Sequence, residues 1–226
     1  MRILKLKYRT FFVLVAFLIA TIQPVFADDN ADAEGLVNKS LTTFNDFNAD
    51  PDMTWFQKHI GQAKGIMIIP RLLKGGFIFG GSGGSGVLLK REQSGNWIGP
   101  AFYTMGSVSW GLQAGAEAAE VILLIMSQKG LDSLLSTKVQ LGADVSVAAG
   151  PVGAGAQAAT ADILQFSRAK GIFGGLTLEG SVITPREGLM NAYYGKPMTP
   201  VNILVTKDAK NPQSDALRVA LIKGAG

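Results

Sequence analysis

The sequence predicts an α+β fold in which N-terminal helices pack on a glycine-rich, mainly antiparallel β-sandwich or barrel-like core. Three observations carry that expectation. Apolar residues recur at helical spacing before residue 60 and then shift to short runs broken by glycine. Glycine is abundant, 28 of 226 residues, and it clusters between those runs. No regular alternation of strands with helices follows, so a parallel doubly wound sheet is not expected.

The elements follow in order. Within 32–48, Leu36, Leu41, Phe44 and Phe47 lie near one helical face, and Asp32 is placed to cap the start. Asp50 and Pro51 restart a second helix, because proline is tolerated at the first helical position and aspartate accepts from free backbone N–H groups. Met53, Phe56 and Ile60 form its apolar stripe, Lys58 and Lys64 lie toward its end, where the dipole favours cations, and Gly65 is suited to stop it. Strands are expected over 66–69, 76–80, 86–90, 101–109 and 121–126, with a short helix over 130–136. Val139, Leu141, Ala143, Val145 and Val147 alternate with polar residues, the period of a strand with one wet face. Residues 142–161 are almost all small and read as a tightly packed strand pair, or as backbone approached closely by a ligand or partner chain. Residues 162–170 read as a strand, as do Leu176 and Leu178 with their polar neighbours. Ser214 begins a final helix with Leu217, Ala220 and Leu221 on one face.

Residues 1–27 have the pattern of a secretory signal: Arg2, Lys5, Lys7 and Arg9, an apolar centre over 11–20, and Val25-Phe26-Ala27 as a cleavage site. Residues 28–226 are then a single exported domain, periplasmic or envelope-associated. Without the four cations of the signal, the remaining Lys and Arg balance the 17 Asp and Glu, so the overall charge gives no support to nucleic-acid binding. Charge is instead segregated. Between Asp28 and Asp52 the acidic residues meet only Lys39, whereas Lys58, Lys64, Arg71, Lys74, Lys90 and Arg91 meet no acid between residues 58 and 91. There is no cysteine, which removes disulfides and a thiol nucleophile.

Inside the basic stretch lie Ala63-Lys64-Gly65-Ile66-Met67-Ile68-Ile69-Pro70, then Lys74-Gly75-Gly76-Phe77-Ile78-Phe79-Gly80-Gly81, and further on Gly95-Asn96-Trp97-Ile98-Gly99-Pro100-Ala101-Phe102. With Gly111-Leu112-Gln113-Ala114-Gly115, the run 171–180 and Asn191-Ala192-Tyr193-Tyr194-Gly195, this pattern resembles the SYLF-domain family over residues 36–205. The resemblance implies phospholipid binding without catalysis. Eukaryotic members recognise phosphoinositides, and some bind actin filaments. For an exported chain an anionic phospholipid membrane surface is expected, with phosphatidylglycerol, cardiolipin or another anionic envelope lipid in place of phosphatidylinositol. The expected contacts are Lys58, Lys64, Arg71, Lys74, Lys90 and Arg91 for headgroups, and Trp55 and Phe56 on an amphipathic N-terminal helix for acyl chains. The alternative is a protein-interaction or scaffold module that pairs through small-residue strands, with self-association as one form of it.

Other chemistry finds little foothold. Gly81-Ser82-Gly83-Gly84-Ser85-Gly86 satisfies GxGxxG, but Val87-Leu88-Leu89 continues as a strand and no acid follows in 101–110, so no nucleotide is expected. His59 is the sole histidine, which rules out a multi-histidine metal site. A hydrolase would have to use His59 or Glu117, and neither has partner chemistry in its local sequence. No cofactor or metal is expected.

Overall fold

The computed structural model describes residues 29–76, 79–110, 115–150, 160–169, 172–173 and 176–226. Helix α1, Asp29–Ala49, buries Ala33, Val37, Ser40, Thr43, Phe44 and Phe47 along one stripe, the spacing of an amphipathic helix. Asp32 lies in its first turn instead of capping it. Asp50 accepts from the Asp52 N–H at 2.9 Å and starts a 3₁₀ turn at Pro51, which leads into α2, Thr54–His59. Four long strands follow: β1 Gly65–Gly76, β2 Phe79–Arg91, β3 Trp97–Trp110 and β4 Gly115–Ile125. Helix α3, Gln128–Leu134, is capped by the Ser127 hydroxyl. Short strands β5 Val139–Gln140, β6 Val147–Ala149, β7 Ile163–Ala169, β8 Ile172–Phe173 and β9 Val182–Pro185 complete the sheet. Helices α4 Glu187–Tyr194, α5 Pro200–Leu204 and α6 Asp215–Gly224 close the chain.

The strands form one sheet in the order β5-β9-β3-β2-β1-β4-β7-β6, with β8 beside β7. All pairings are antiparallel except β6 with β7. The sheet curls into a half-barrel, so the α+β class holds, and the barrel-like form describes it better than two packed sheets.

Several local readings change. The gap between the strands expected at 76–80 and 86–90 is itself strand: residues 81–86 run inside β2, paired on both sides with β1 and β3. Register shifts occur in β1 between Ile68 and Arg71, at Pro70, which has no N–H to give the ladder, and in the β2–β3 pair between Leu88 and Lys90. The alternating run 139–147 is broken, because the chain turns at Gly142 (φ 86°) and Leu141 bridges to Val145. Leu176 and Leu178 lie outside any strand, and Leu178 is buried. Much of the small-residue run 142–161 falls outside the described residues.

The register assigns each side chain to a face. Ile66, Ile68, Val87, Leu89, Phe102, Ile122, Leu124 and Phe166 share the outer face, covered by helices: Phe166 meets the Phe56 ring at 5.3 Å and Phe102 meets Tyr193 of α4 at 5.0 Å. Tyr103 and Met105 face the opposite side, where the Tyr103 hydroxyl donates to the Leu134 carbonyl of α3 at 2.7 Å. Burial pushes that phenol up beyond the ordinary tyrosine range. With both faces covered, the central strands read as continuous apolar runs. Among the described residues, no helix is long and apolar enough to cross a membrane.

Candidate docking face

Helix α1 crosses the outer face, and its far half is fastened to the sheet by ions. Arg168 of β7 donates to Glu120 of β4 through Nε at 2.8 Å and Nη2 at 2.5 Å, and to Asp46 of α1 at 3.1 Å. Thr43 of α1 donates to the other Glu120 oxygen at 2.8 Å, and the guanidinium lies 5.4 Å from the Phe47 ring. This cluster marks the border of the helical cover.

Along that border a polar row crosses the sheet. Arg71 pairs with Ser85, Ser85 with Thr104 and Thr104 with Thr184. Directly paired residues point to the same face, and the Arg186 Nη1 donates to the Ser85 hydroxyl at 3.0 Å. Beyond the row the four long strands continue without cover from any helix among the described residues. Their outward positions are Leu73, Gly83, Gly106 and Ala118, then Gly75, Gly81 and Val108. Leu73 is 48% and Val108 87% exposed. Glycines between them keep the surface low, so the two apolar side chains stand on a low platform bordered by two arginines.

The neighbours of this platform stop short of it. Among the described residues, β9 pairs with β3 over Tyr103–Gly106 and β7 pairs with β4 from Ala119 onward. Among the described residues, β3 therefore has no second strand beside Ser107 and Val108. Such an edge is open to pairing.

The predicted basic residues do not form one patch. Lys64 and Lys90 lie at the opposite end of the β1–β2 ladder, where Gly65 pairs with Lys90. At ~3.3 Å per residue, Lys64 and Lys74 are about 33 Å apart along β1. Lys58 is exposed on α2 and Arg71 is exposed at the platform border. Lys74 is half-buried and has the parity of the other face, opposite Glu117. Arg91 is half-buried opposite Trp97, with its Nε and the Trp97 Nε1 both buried and without hydrogen-bond partners.

Phe56 requires a correction. It is fully buried, against Phe44, Phe47 and Phe166, so it offers no surface to acyl chains in this conformation. Trp55 is half-buried, stacked on His59 at 3.8 Å between ring centres, and the His59 Nδ1 donates to the Trp55 carbonyl at 2.8 Å. The apolar stripe of α1 is likewise spent on the sheet. The glycine motif, being mid-strand, has no helix N-terminus to cradle a phosphate.

The residues sequence reasoning missed are Leu73, Ser85, Val108 and Arg186. No local pattern marks them: Arg186 lies 101 residues from Ser85 in the chain and reaches it only because β9 folds beside β3.

A family model described as Ysc84, Las17-binding protein actin regulator, matches residues 106–223. The chain belongs to the Ysc84 (SYLF-domain) family. Among Ysc84-related proteins, LAS seventeen-binding protein 3 of Saccharomyces cerevisiae is 34% identical over 164 residues, 69% of this chain and 36% of that protein. Protein YSC84 of the same yeast is also 34% identical, over 69% of this chain and 35% of its own length. The human SH3 domain-containing YSC84-like protein 1 is 24% identical over 70% of this chain and 48% of its own. The chain thus spans a third to a half of the length of these curated relatives. No solved structure matches it. The family match includes Val108, Ala118, Glu120, Arg168 and Arg186, while Arg71, Leu73 and Ser85 precede it.

Proposed function

We propose that this Ysc84-family chain is a non-enzymatic protein-docking module whose contact surface is the uncovered outer face of β1–β4. The observation that carries the reading is the exposure of Leu73 and Val108 on one glycine-lined face that no helix among the described residues covers. Exposed apolar side chains on a flat, polar-rimmed surface are the usual mark of a protein contact. The family description, Las17-binding protein actin regulator, and the name of the yeast relative, LAS seventeen-binding protein 3, support a protein partner. The spread of the basic residues over two ends of the sheet, and the burial of Phe56 and of the α1 stripe, favour a protein over an anionic lipid surface. Residues 1–27, which lie outside the described residues, support a partner in the envelope.

The test is a photo-crosslinking amino acid at position 108 in the native cell, with Val201 of α5 as an exposed control. Protein adducts at 108 and none at 201 are expected, and Leu73→Ser should reduce them while leaving the melting temperature unchanged. An adduct of twice the chain's mass identifies a second copy as the partner. Lipid adducts alone, with salt-sensitive binding to anionic vesicles, would restore the phospholipid reading.

A further inference from the structure

We propose that the polar row at the border of the platform is an anion site, and that its occupant is an acidic segment of the protein partner. The inference rests on the docking reading above and adds the partner's chemistry. Arg71 and Arg186 flank one hydroxyl: Arg71 is the direct cross-strand neighbour of Ser85, and Arg186 donates to it at 3.0 Å. Side chains directly opposite in an antiparallel pair stand ~5 Å apart at Cβ, so the Arg71 side chain rises from the sheet beside the hydroxyl that Arg186 holds. Thr104 and Thr184 extend the row with two more hydroxyls on the same face.

The neighbouring carboxylate is already taken. Glu120, beside Arg71 across the β1 bulge, accepts from Arg168 and Thr43. Among the described residues, no carboxylate forms an ion pair with Arg71 or Arg186. Two like charges held about one hydroxyl repel each other, and an incoming carboxylate relieves that repulsion while matching the planar guanidinium donors. Leu73 and Gly83 lie two residues further along the same face. A partner segment that places an acidic side chain in the row and an aliphatic one about 7 Å on, the spacing of alternate residues in an extended strand, satisfies both at once.

The experiment is a titration of the isotope-labelled 28–226 chain with the peptide acetyl-EVEVE-amide, followed through the Ser85 and Thr104 amides and the arginine Nε–H signals. Saturable shifts are expected with this peptide and not with acetyl-QVQVQ-amide. The double variant Arg71→Gln/Arg186→Gln should bind about tenfold more weakly, the loss of two surface charge pairs, with an unchanged melting temperature. Equal shifts with both peptides, or no shift with either, would overturn the site. Larger shifts with inorganic phosphate or phosphatidylglycerol vesicles would make it a phosphate site and overturn the acidic occupant. The crosslink at position 108 separates this inference from the docking reading. Adducts that persist unchanged in the double variant remove the anion site alone, whereas their absence from the wild-type chain removes the docking face.

Discussion

Replacing Phe56 by alanine distinguishes a core residue from a membrane contact. The ring is fully buried and lies 5.3 Å from Phe166, 6.2 Å from Phe44 and 6.3 Å from Phe47, between centroids. These neighbours come from α1 and β7, so the cavity has walls on two layers that cannot both collapse into it. Phe→Ala at such a site costs ~3–5 kcal/mol, and three aromatic neighbours place the expected value in the upper half of that range. Urea unfolding of the 28–226 chain measures it as a fall in midpoint at constant slope. Trp55→Ala is the internal comparison: its ring is half-buried, so a loss of about 1–2 kcal/mol is expected from the smaller area returned to water. If Phe56→Ala cost less than about 1 kcal/mol and abolished vesicle binding, the aromatic cluster would not be a core and the burial reasoning would be refuted.

Two further predictions concern charge. Asp162 accepts from the Ser127 hydroxyl at 2.5 Å, the Ser146 hydroxyl at 2.8 Å and the Ser146 N–H at 3.0 Å, and these bonds, Ser127's foremost, hold its pKa down at about 2. Because the folded value is depressed, its contribution is complete above the unfolded value near 4 and is lost as pH falls through about 2. Asp162→Asn should therefore lower stability at pH 7 by about 1–2 kcal/mol and flatten the acid limb between pH 4 and 2; a limb of unchanged steepness would count against the assignment. Arg168→Met keeps the aliphatic stem but leaves Glu120 and Asp46 without their guanidinium, and should cost about 2 kcal/mol. Hydrogen exchange should quicken in the second half of α1, and uniform quickening along α1 would show that the ion cluster does not fasten that half.

Much of the fold is legible from the chain alone because it rests on local chemistry. The stripe through Phe44 and Phe47 dictates α1, the Asp50-Pro51 pair dictates the next helical start, and the apolar runs at 66–69, 86–90 and 121–126 dictate central strands. Even there glycine misleads. Residues 81–86 carry the composition of a turn, yet they form strand because β1 and β3 supply ladder partners on both sides, a stabilisation no local propensity encodes. The 139–147 run fails for the complementary reason: alternation is present, but Gly142 in the left-handed region turns the chain before a strand can grow.

The sequence by itself determined the family, through ordered motifs along the chain, and the α+β class, through its change of period. Only the tertiary structure decided which residues face the world. Contiguity placed Lys58, Lys64, Arg71, Lys74, Lys90 and Arg91 in one run, but a strand rises about 3.3 Å per residue and sends successive side chains to opposite faces. A basic run in sequence is therefore divided between two ends and two faces of the sheet. Strand register, which joins residues far apart in the chain, instead brings Arg71, Ser85 and Arg186 together beside Leu73 and Val108.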